Sequence, residues 1–94
     1  MSKKITLQNK PGLPGWALTD LVYIAREFHC HISLHDDEIK IDGKKLLEVL
    51  SLIRPDLSRV EVGFQGTDEE EAVRAVRNSG LGRFIAQGAQ ATAT

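Results

Sequence analysis

The sequence predicts an α+β fold in which a four-stranded antiparallel sheet is covered on one face by three helices. Four segments alternate polar and apolar residues, the pattern of half-buried strands, and three others repeat apolar residues with the period of a helix. These segments follow one another in the order β-α-β-β-α-β-α. Because every predicted strand has one apolar and one polar face, we expect the helices to cover only one side of the sheet.

The longest predicted helix follows a loop that contains glycine and proline. Pro14 and Gly15 interrupt the extended segment before it, so we expect the helix to begin near Trp16 and to end at Phe28 or His29. Its apolar stripe has the spacing expected of a helix packed on a sheet, and consists of Leu18, Leu21, Val22, Ala25 and Phe28.

The other elements are predicted from shorter patterns. The alternating segments occupy residues 4–8, 30–35, 39–42 and 60–65, and the second and third form a hairpin around the polar turn 36–38. A second helix at about 44–53 ends at Arg54-Pro55-Asp56, because the residue before a proline disfavours helix. Thr67 and Glu70 have the spacing of a capping box for the third helix, and Gly80 is a candidate for its C-terminal cap.

The inward-facing members of these periodic series define the predicted core. They are Leu7, Leu21, Val22, Ile32, Leu34, Ile41, Val60, Val62 and Phe64. We place the domain at residues 1–80 and a C-terminal tail, expected to be partly disordered, at 81–94, and the sequence leaves open whether Phe84 and Ile85 pack on the domain.

The second helix has more apolar residues than one buried side can use. Leu46, Leu47, Val49, Leu50 and Ile53 spread over an arc of about 160° at the angular spacing of a helix. We therefore expect some of them to remain exposed beside the loop that precedes the first helix.

Composition excludes several classes of function. The 94 residues include 12 basic and 13 acidic side chains, for a net charge of −1, which argues against a nucleic-acid-binding protein. No apolar run approaches the roughly 20 residues of a membrane span, and the N-terminal segment lacks the apolar core of a signal peptide. With a single cysteine, no intrachain disulfide is possible. We expect a cytoplasmic protein that does not insert into membranes.

The histidines and the cysteine do not form a convincing metal or catalytic site. His31 and His35 would lie about 13 Å apart along a strand, and the ligand spacings typical of zinc sites are absent. Cys30 is best interpreted as a partly buried structural thiol, and His29 as a surface residue near a helix end. We predict no metal, no cofactor and no enzymatic activity.

Three segments in order resemble one known family. A Gly12-Leu13 loop opens a helix that ends in Ala25-x-x-Phe28, and the segments GKKLLEVLSL and GTDEEEAVRAV follow. Over residues 3–78 the chain resembles HPr, the histidine-containing phosphocarrier family of the bacterial phosphoenolpyruvate-dependent sugar phosphotransferase system. The resemblance implies the strand order 1-4-2-3. It also implies that partners dock where the active loop meets the first and second helices.

The chain departs from the family pattern at the positions that carry phosphate. The family's loop has a phosphorylated histidine where this chain has Pro14, a supporting arginine at Trp16 and a proline at Ala17. A second phosphorylation site of many Gram-positive relatives, a serine, matches Lys45. Neither proline nor indole can accept or neutralise a phosphoryl group, so the resemblance implies a relative that cannot carry phosphate at the usual position.

We therefore predict a protein-binding or regulatory module that associates with a protein partner or with itself. By the resemblance, its partner-binding surface consists of Leu13, Pro14, Trp16, Leu46, Leu47 and Leu50. Burial of Trp16 in the core is the open alternative for that residue. Two other functions remain open: a working phosphocarrier that uses His29, His31 or His35, and a structural assembly subunit in which only the fold is used.

Overall fold

The computed structural model describes residues 2–10, 12–36, 39–53 and 57–86. The elements are β1 (Ser2–Gln8), α1 (Gly15–Ala25), β2 (His31–His35), β3 (Lys40–Asp42), α2 (Leu46–Leu50), β4 (Arg59–Gln65), α3 (Glu69–Asn78) and a 3-10 helix (Gly80–Phe84). In this part of the chain no helix has the length and apolar character needed to span a bilayer.

The sheet confirms the predicted class and strand order. Its strands lie in the order β1-β4-β2-β3, and every neighbouring pair is antiparallel. Val62 of the central strand β4 lies opposite Ile5 on one side and Leu34 on the other. Apolar residues in register across three strands thus form one continuous apolar face.

The core lies between that face and the helices, as predicted. Of the nine predicted core residues, Ile41 is partly buried and packed against the core, and the others are almost fully buried. Ile41 belongs to β3, a three-residue strand at the edge of the sheet, and no described strand covers its outer flank.

Two helices are shorter than predicted. α1 ends at Ala25 because the next turn tightens: the amides of Glu27 and Phe28 donate to the carbonyl oxygens three residues earlier. α2 covers Leu46–Leu50 rather than 44–53, and its last turn is tightened in the same way. The predicted helix stop at 54–56, and residues 37 and 38 of the predicted hairpin turn, lie outside the described residues.

The predicted capping box at Thr67 is wrong. The N-cap of α3 is Asp68, and the carboxylate that folds back is that of Glu69, which accepts the Gly66 amide over 3.0 Å. The Asp68 side chain does not cap its own helix, because its two oxygens accept hydrogen bonds from backbone amides of the segment before β2. The cap therefore depends on tertiary contacts that sequence spacing does not contain.

The chain beyond α3 packs on the domain as far as residue 86. Ser79, not Gly80, follows α3, and its hydroxyl accepts the Leu81 amide and so starts the 3-10 helix. Leu81 and Phe84 are buried, and Ile85 pairs with Leu7 at the edge of β1. The first residues of the predicted tail are thus part of the packed structure, and residues 87–94 lie outside the described residues.

Candidate functional site

Backbone and side-chain hydrogen bonds hold the loop before α1 in place. The Leu13 amide donates to the Leu57 carbonyl oxygen over 2.6 Å, and the side-chain amide of Asn9 donates to the Gly12 carbonyl oxygen over 2.9 Å. Pro14 then occupies the N-cap of α1 with extended backbone angles, φ −67° and ψ 148°. Proline has no side-chain polar atom, so it makes no capping hydrogen bond to the free amides of α1.

Leu13, predicted to lie on the partner-binding surface, is a core residue. Its side chain is only 7% exposed and belongs to the same apolar cluster as Leu18 and Leu57. The hydrogen bond between the Leu13 amide and Leu57 ties the loop to the segment before β4, and the leucine side chain is buried there. In this loop Pro14 is therefore partly exposed to solvent, whereas Leu13 is buried.

Trp16 is half exposed and half packed. Its side chain is 46% exposed, and its ring lies 5.7 Å from the ring of Phe84, centroid to centroid, with the planes inclined at 52°. The same indole borders Gly80, where an added Cβ would lie 3.8 Å from the ring. Trp16 is therefore neither a core residue nor a free surface residue, because one side of the ring covers the 3-10 helix.

The second helix leaves apolar side chains exposed, as its wide arc predicts. Val49 and Leu52 are buried and Leu46 is partly buried. Leu47 is 82% exposed, and Leu50 is also exposed. With only five residues, α2 has one side against the core, and its remaining leucines face solvent.

The start of α1 brings the loop and the second helix together. A Cβ atom added to Gly15 would lie 3.7 Å from Cγ2 of Ile53, so the exposed Ile53 borders the first turn of α1. Ile53 thus brings the residues after α2 next to Gly15, the residue that follows Pro14. We call Pro14, Trp16, Leu46, Leu47, Leu50 and Ile53 the apolar helical surface.

Three exposed apolar residues are absent from the surface that the sequence predicts: Ile53 and Tyr23 on the helical side, and Ile39 before β3. Ile53 belongs to the apolar arc of the second helix, and the signal for it is that arc residues left over from the core must be exposed. Tyr23 is 57% exposed on α1. It follows Trp16 by seven residues, two helical turns, and this spacing puts both aromatic side chains on one face of the helix.

Positive charge borders the apolar helical surface at the start of α2. Lys45 is the N-cap of α2, and its ammonium lies 4.0 Å from the Glu48 carboxylate. Lys44 donates to the Phe28 carbonyl oxygen over 2.5 Å, and Arg26 donates to the Lys44 carbonyl oxygen over 3.2 Å. These two bonds tie the end of α1 to the start of α2, so the two helices present their exposed sides together.

None of the three histidines belongs to this surface. His29 lies at the junction between α1 and β2, and His31 and His35 lie on β2. None of the three begins a helix. Within the described residues, no group of three or more histidine, cysteine, aspartate or glutamate side chains is arranged to hold a metal ion.

Cys30 lies in a closed, acidic environment. The Asp68 carboxylate accepts the His29 amide over 2.7 Å and the Cys30 amide over 2.8 Å. These amides, that of His29 first, hold the pKa of the Asp68 carboxyl below its ordinary value. Burial, and then the neighbouring Asp68, raise the pKa of the Cys30 thiol from 9.0 to about 11. The thiol stays protonated at neutral pH and is a poor nucleophile.

The loop at 12–16 offers binding rather than covalent chemistry. Its sequence is Gly-Leu-Pro-Gly-Trp, which contains no side-chain hydroxyl, thiol, imidazole, amine or carboxylate. What the loop and α2 provide instead is exposed apolar and aromatic surface with charged residues beside it. Large exposed apolar patches of this kind usually mark interaction sites.

Comparisons with known proteins agree with this architecture. The sequence model of a family described as "PTS HPr component phosphorylation site" matches residues 1–79. The phosphocarrier protein HPr from Bacillus anthracis is similar at 24% identity and a TM-score of 0.63, over 92% of this chain and 96% of that one. HPr-C-His from Thermoanaerobacter tengcongensis has 29% identity and a TM-score of 0.63, over 81% of this chain and 85% of that one.

A third solved structure is similar in fold at lower identity. The histidine-containing phosphocarrier protein of a mycoplasma has 18% identity and a TM-score of 0.70, over 94% of this chain and 100% of that one. No curated protein sequence matches the chain significantly.

Proposed function

Because the chain belongs to the HPr family of the phosphotransferase system, we propose that it is a protein-binding or regulatory member that does not carry a phosphoryl group at the family's usual position. Proteins of this family are in general phosphocarriers and not enzymes. We propose that this chain acts in the cytoplasm, where it keeps the family's fold and its way of meeting partners without the phosphoryl transfer.

The proposal rests on the identity of the residues at the N-caps of α1 and α2. The positions matching the family's histidine and serine sites are Pro14 and Lys45, the N-caps of α1 and α2. An N-cap beside free amides is where a phosphoryl group is held most easily. Here one N-cap has no acceptor atom, and the other has an ammonium group. Trp16, at the arginine position, packs on Phe84 and has no charge to neutralise a phosphate.

Exposed apolar area supports the binding half of the proposal. Leu47 is 82% exposed beside Leu50 and Ile53, and the start of α1 adds Pro14 and Trp16. Leaving a leucine that exposed contributes nothing to folding, because the gain in burial comes only when water is removed. A protein partner, or a second copy of the chain, that covers this surface would remove that water.

Phosphotransfer is the direct test. Purified protein is incubated with phosphoenolpyruvate and the general phosphotransferase enzyme of the system, with the HPr of Bacillus anthracis as the positive control. We expect the control to gain one phosphoryl group and this chain to gain none, as measured by intact-protein mass spectrometry under conditions that preserve phosphohistidine.

A stoichiometric gain of one phosphoryl group on this chain would contradict the proposal. Mapping that group to His29, His31 or His35 would establish a phosphocarrier with a relocated acceptor. If no phosphorylation occurs, association measurements on the Leu47→Asp variant separate a partner-binding module from a subunit in which this surface has no role.

A further inference from the structure

The face of the sheet opposite the helices carries a groove. It has a volume of about 440 Å³ and opens on the polar sides of all four strands. Its lining includes Lys4 of β1, Gly63 of β4, His31, Ser33 and His35 of β2, and Lys40 of β3. None of these residues belongs to the apolar helical surface, so a ligand site in the groove is independent of the proposed function.

The register of the strands places a glycine in the middle of this groove. Gly63 lies opposite Lys4 on one side and opposite Ser33 on the other. A Cβ atom at residue 63 would lie 3.0 Å from Oγ of Ser33. Because glycine has no side chain, this space is open, and the serine hydroxyl borders a hollow in the floor of the groove.

Ser33 is a buried residue whose hydroxyl has no hydrogen-bond partner among the described residues. The residue is only 8% exposed, yet within the described part of the chain its hydroxyl makes no hydrogen bond. A ligand atom in the space above Gly63 would give this hydroxyl a hydrogen-bond partner. The hydroxyl therefore offers a donor and an acceptor toward the space above Gly63.

The rim of the groove attracts negative charge. Lys4 and Lys40 supply ammonium groups from the two outer strands, and no acidic side chain is among the described residues that line the groove. His31 and His35 flank Ser33 on the same strand face and add ring N–H donors. Two acidic residues lie on the same face outside this lining. The Glu61 carboxylate lies 3.7 Å from the Lys4 ammonium and 3.1 Å from the Arg59 guanidinium, so Arg59 can hold it when Lys4 turns to an anion. Asp42 lies opposite Ser33, and its carboxylate accepts a hydrogen bond from the Lys44 amide over 2.9 Å.

We propose that this groove binds a small organic anion whose phosphate or carboxylate group sits over Gly63. The oxygens of that group would accept hydrogen bonds from the Ser33 hydroxyl and from the Lys4 and Lys40 ammonium groups. The rings of His31 and His35 would lie at either end. The groove has the size of a small-molecule site. Its place on the far side of the sheet would let a ligand and a protein partner occupy the chain together.

Titration followed by amide NMR tests the site directly. Uniformly ¹⁵N-labelled protein is titrated with inorganic phosphate, with acetate, and with chloride at equal ionic strength. We expect saturable shifts of the Ser33 and Gly63 amides with phosphate or acetate and none with chloride, while the Trp16 amide stays unmoved. The stronger of the two anions identifies a phosphate or a carboxylate ligand. Shifts that do not saturate, or that chloride reproduces, overturn the proposal.

Variants decide whether the groove itself binds the anion. Ser33→Ala and Lys40→Gln should each weaken the stronger anion by about fivefold or more, because each removes a donor to a charged group. Lys45→Gln, which removes one lysine from the opposite face, should leave the affinity unchanged. Thermal melts of all three establish that they are folded. Equal affinity in all the variants would show that the anion binds elsewhere and would overturn the proposal.

Discussion

The indole ring of Trp16 lies against the phenyl ring of Phe84, with the centroids 5.7 Å apart and the planes inclined at 52°. This contact joins the start of α1 to the 3-10 helix near the end of the described chain. Arg83 in turn lies 6.0 Å from the centre of the Phe84 ring. Trp16 thus helps to hold the C-terminal segment on the domain.

Replacing Trp16 with alanine should lower stability modestly. An aromatic pair contributes about 0.5–1.5 kcal/mol beyond the area it buries, which corresponds to a fall of several degrees in Tm for a domain of this size. Tyr23→Ala removes an aromatic side chain of the same helix face that is 57% exposed and serves as the matched control. Thermal melts by circular dichroism measure both. Equal Tm values for the two variants would contradict the role assigned to the Phe84 contact.

Leu47→Asp should leave the fold intact and impair association. The side chain is 82% exposed, so a carboxylate there costs little folding free energy. In a partner or dimer contact it should cost at least about 2 kcal/mol, the scale of an interface hot spot. Sedimentation or a binding titration measures the association, and a thermal melt measures whether the variant keeps the Tm of the parent.

Ile39→Asp, a similar change at an exposed residue outside the apolar helical surface, is the control and should associate normally. Normal association of Leu47→Asp would place the contact elsewhere.

Asp68→Asn should destabilise the protein at neutral pH but not in acid. The Asp68 carboxylate accepts two amides, and the amide side chain of asparagine has only one oxygen with which to replace it. Since the folded-state pKa of Asp68 is lowered, its contribution is present above the ordinary pKa of 3.8 and is lost as the pH falls through the folded value. Denaturant unfolding at several pH values should show that the difference in unfolding free energy between wild type and Asp68→Asn shrinks below that pH.

Glu71→Gln, which changes an exposed acid of the same helix turn, is the control. A difference that is independent of pH would refute the assignment.

Gly66→Ala should be strongly destabilising for two independent reasons. Gly66 has φ +152°, a backbone conformation that side-chain-bearing residues rarely adopt. A Cβ there would also lie 2.7 Å from Cα of Cys30, a backbone atom that cannot move aside cheaply. We expect a loss of about 2 kcal/mol or more in unfolding free energy, the upper range for strained backbone positions. Gly15→Ala is the matched control, because among the described residues its Cβ meets only Ile53, at 3.7 Å, and alanine favours helix. Equal stability of the two variants would be inconsistent with this account.

The sequence alone determined the four strands, the three α-helices, their order and the apolar side chains that form the core. Periods of 2.0 and 3.6 are local properties, so the alternation at Val60, Val62 and Phe64 and the stripe at Leu18, Leu21 and Val22 predict correctly which side chains are buried. The wide arc of the second helix likewise predicts that leucines there stay exposed, because a short helix has only one side against the core. The role of that surface in binding stays a prediction.

Only the tertiary structure decided the contacts between distant segments. Leu13 is buried in the same cluster as Leu57, whose carbonyl oxygen its amide bonds. The Asp68 side chain does not cap α3 because its oxygens accept hydrogen bonds from amides of the chain before β2. The tilted contact of Trp16 with Phe84, and the hollow that Gly63 leaves beside Ser33, depend on how segments far apart in sequence are placed against one another. Local periodicity contains no information on such pairings, because their energy arises only after the sheet has brought the partners together.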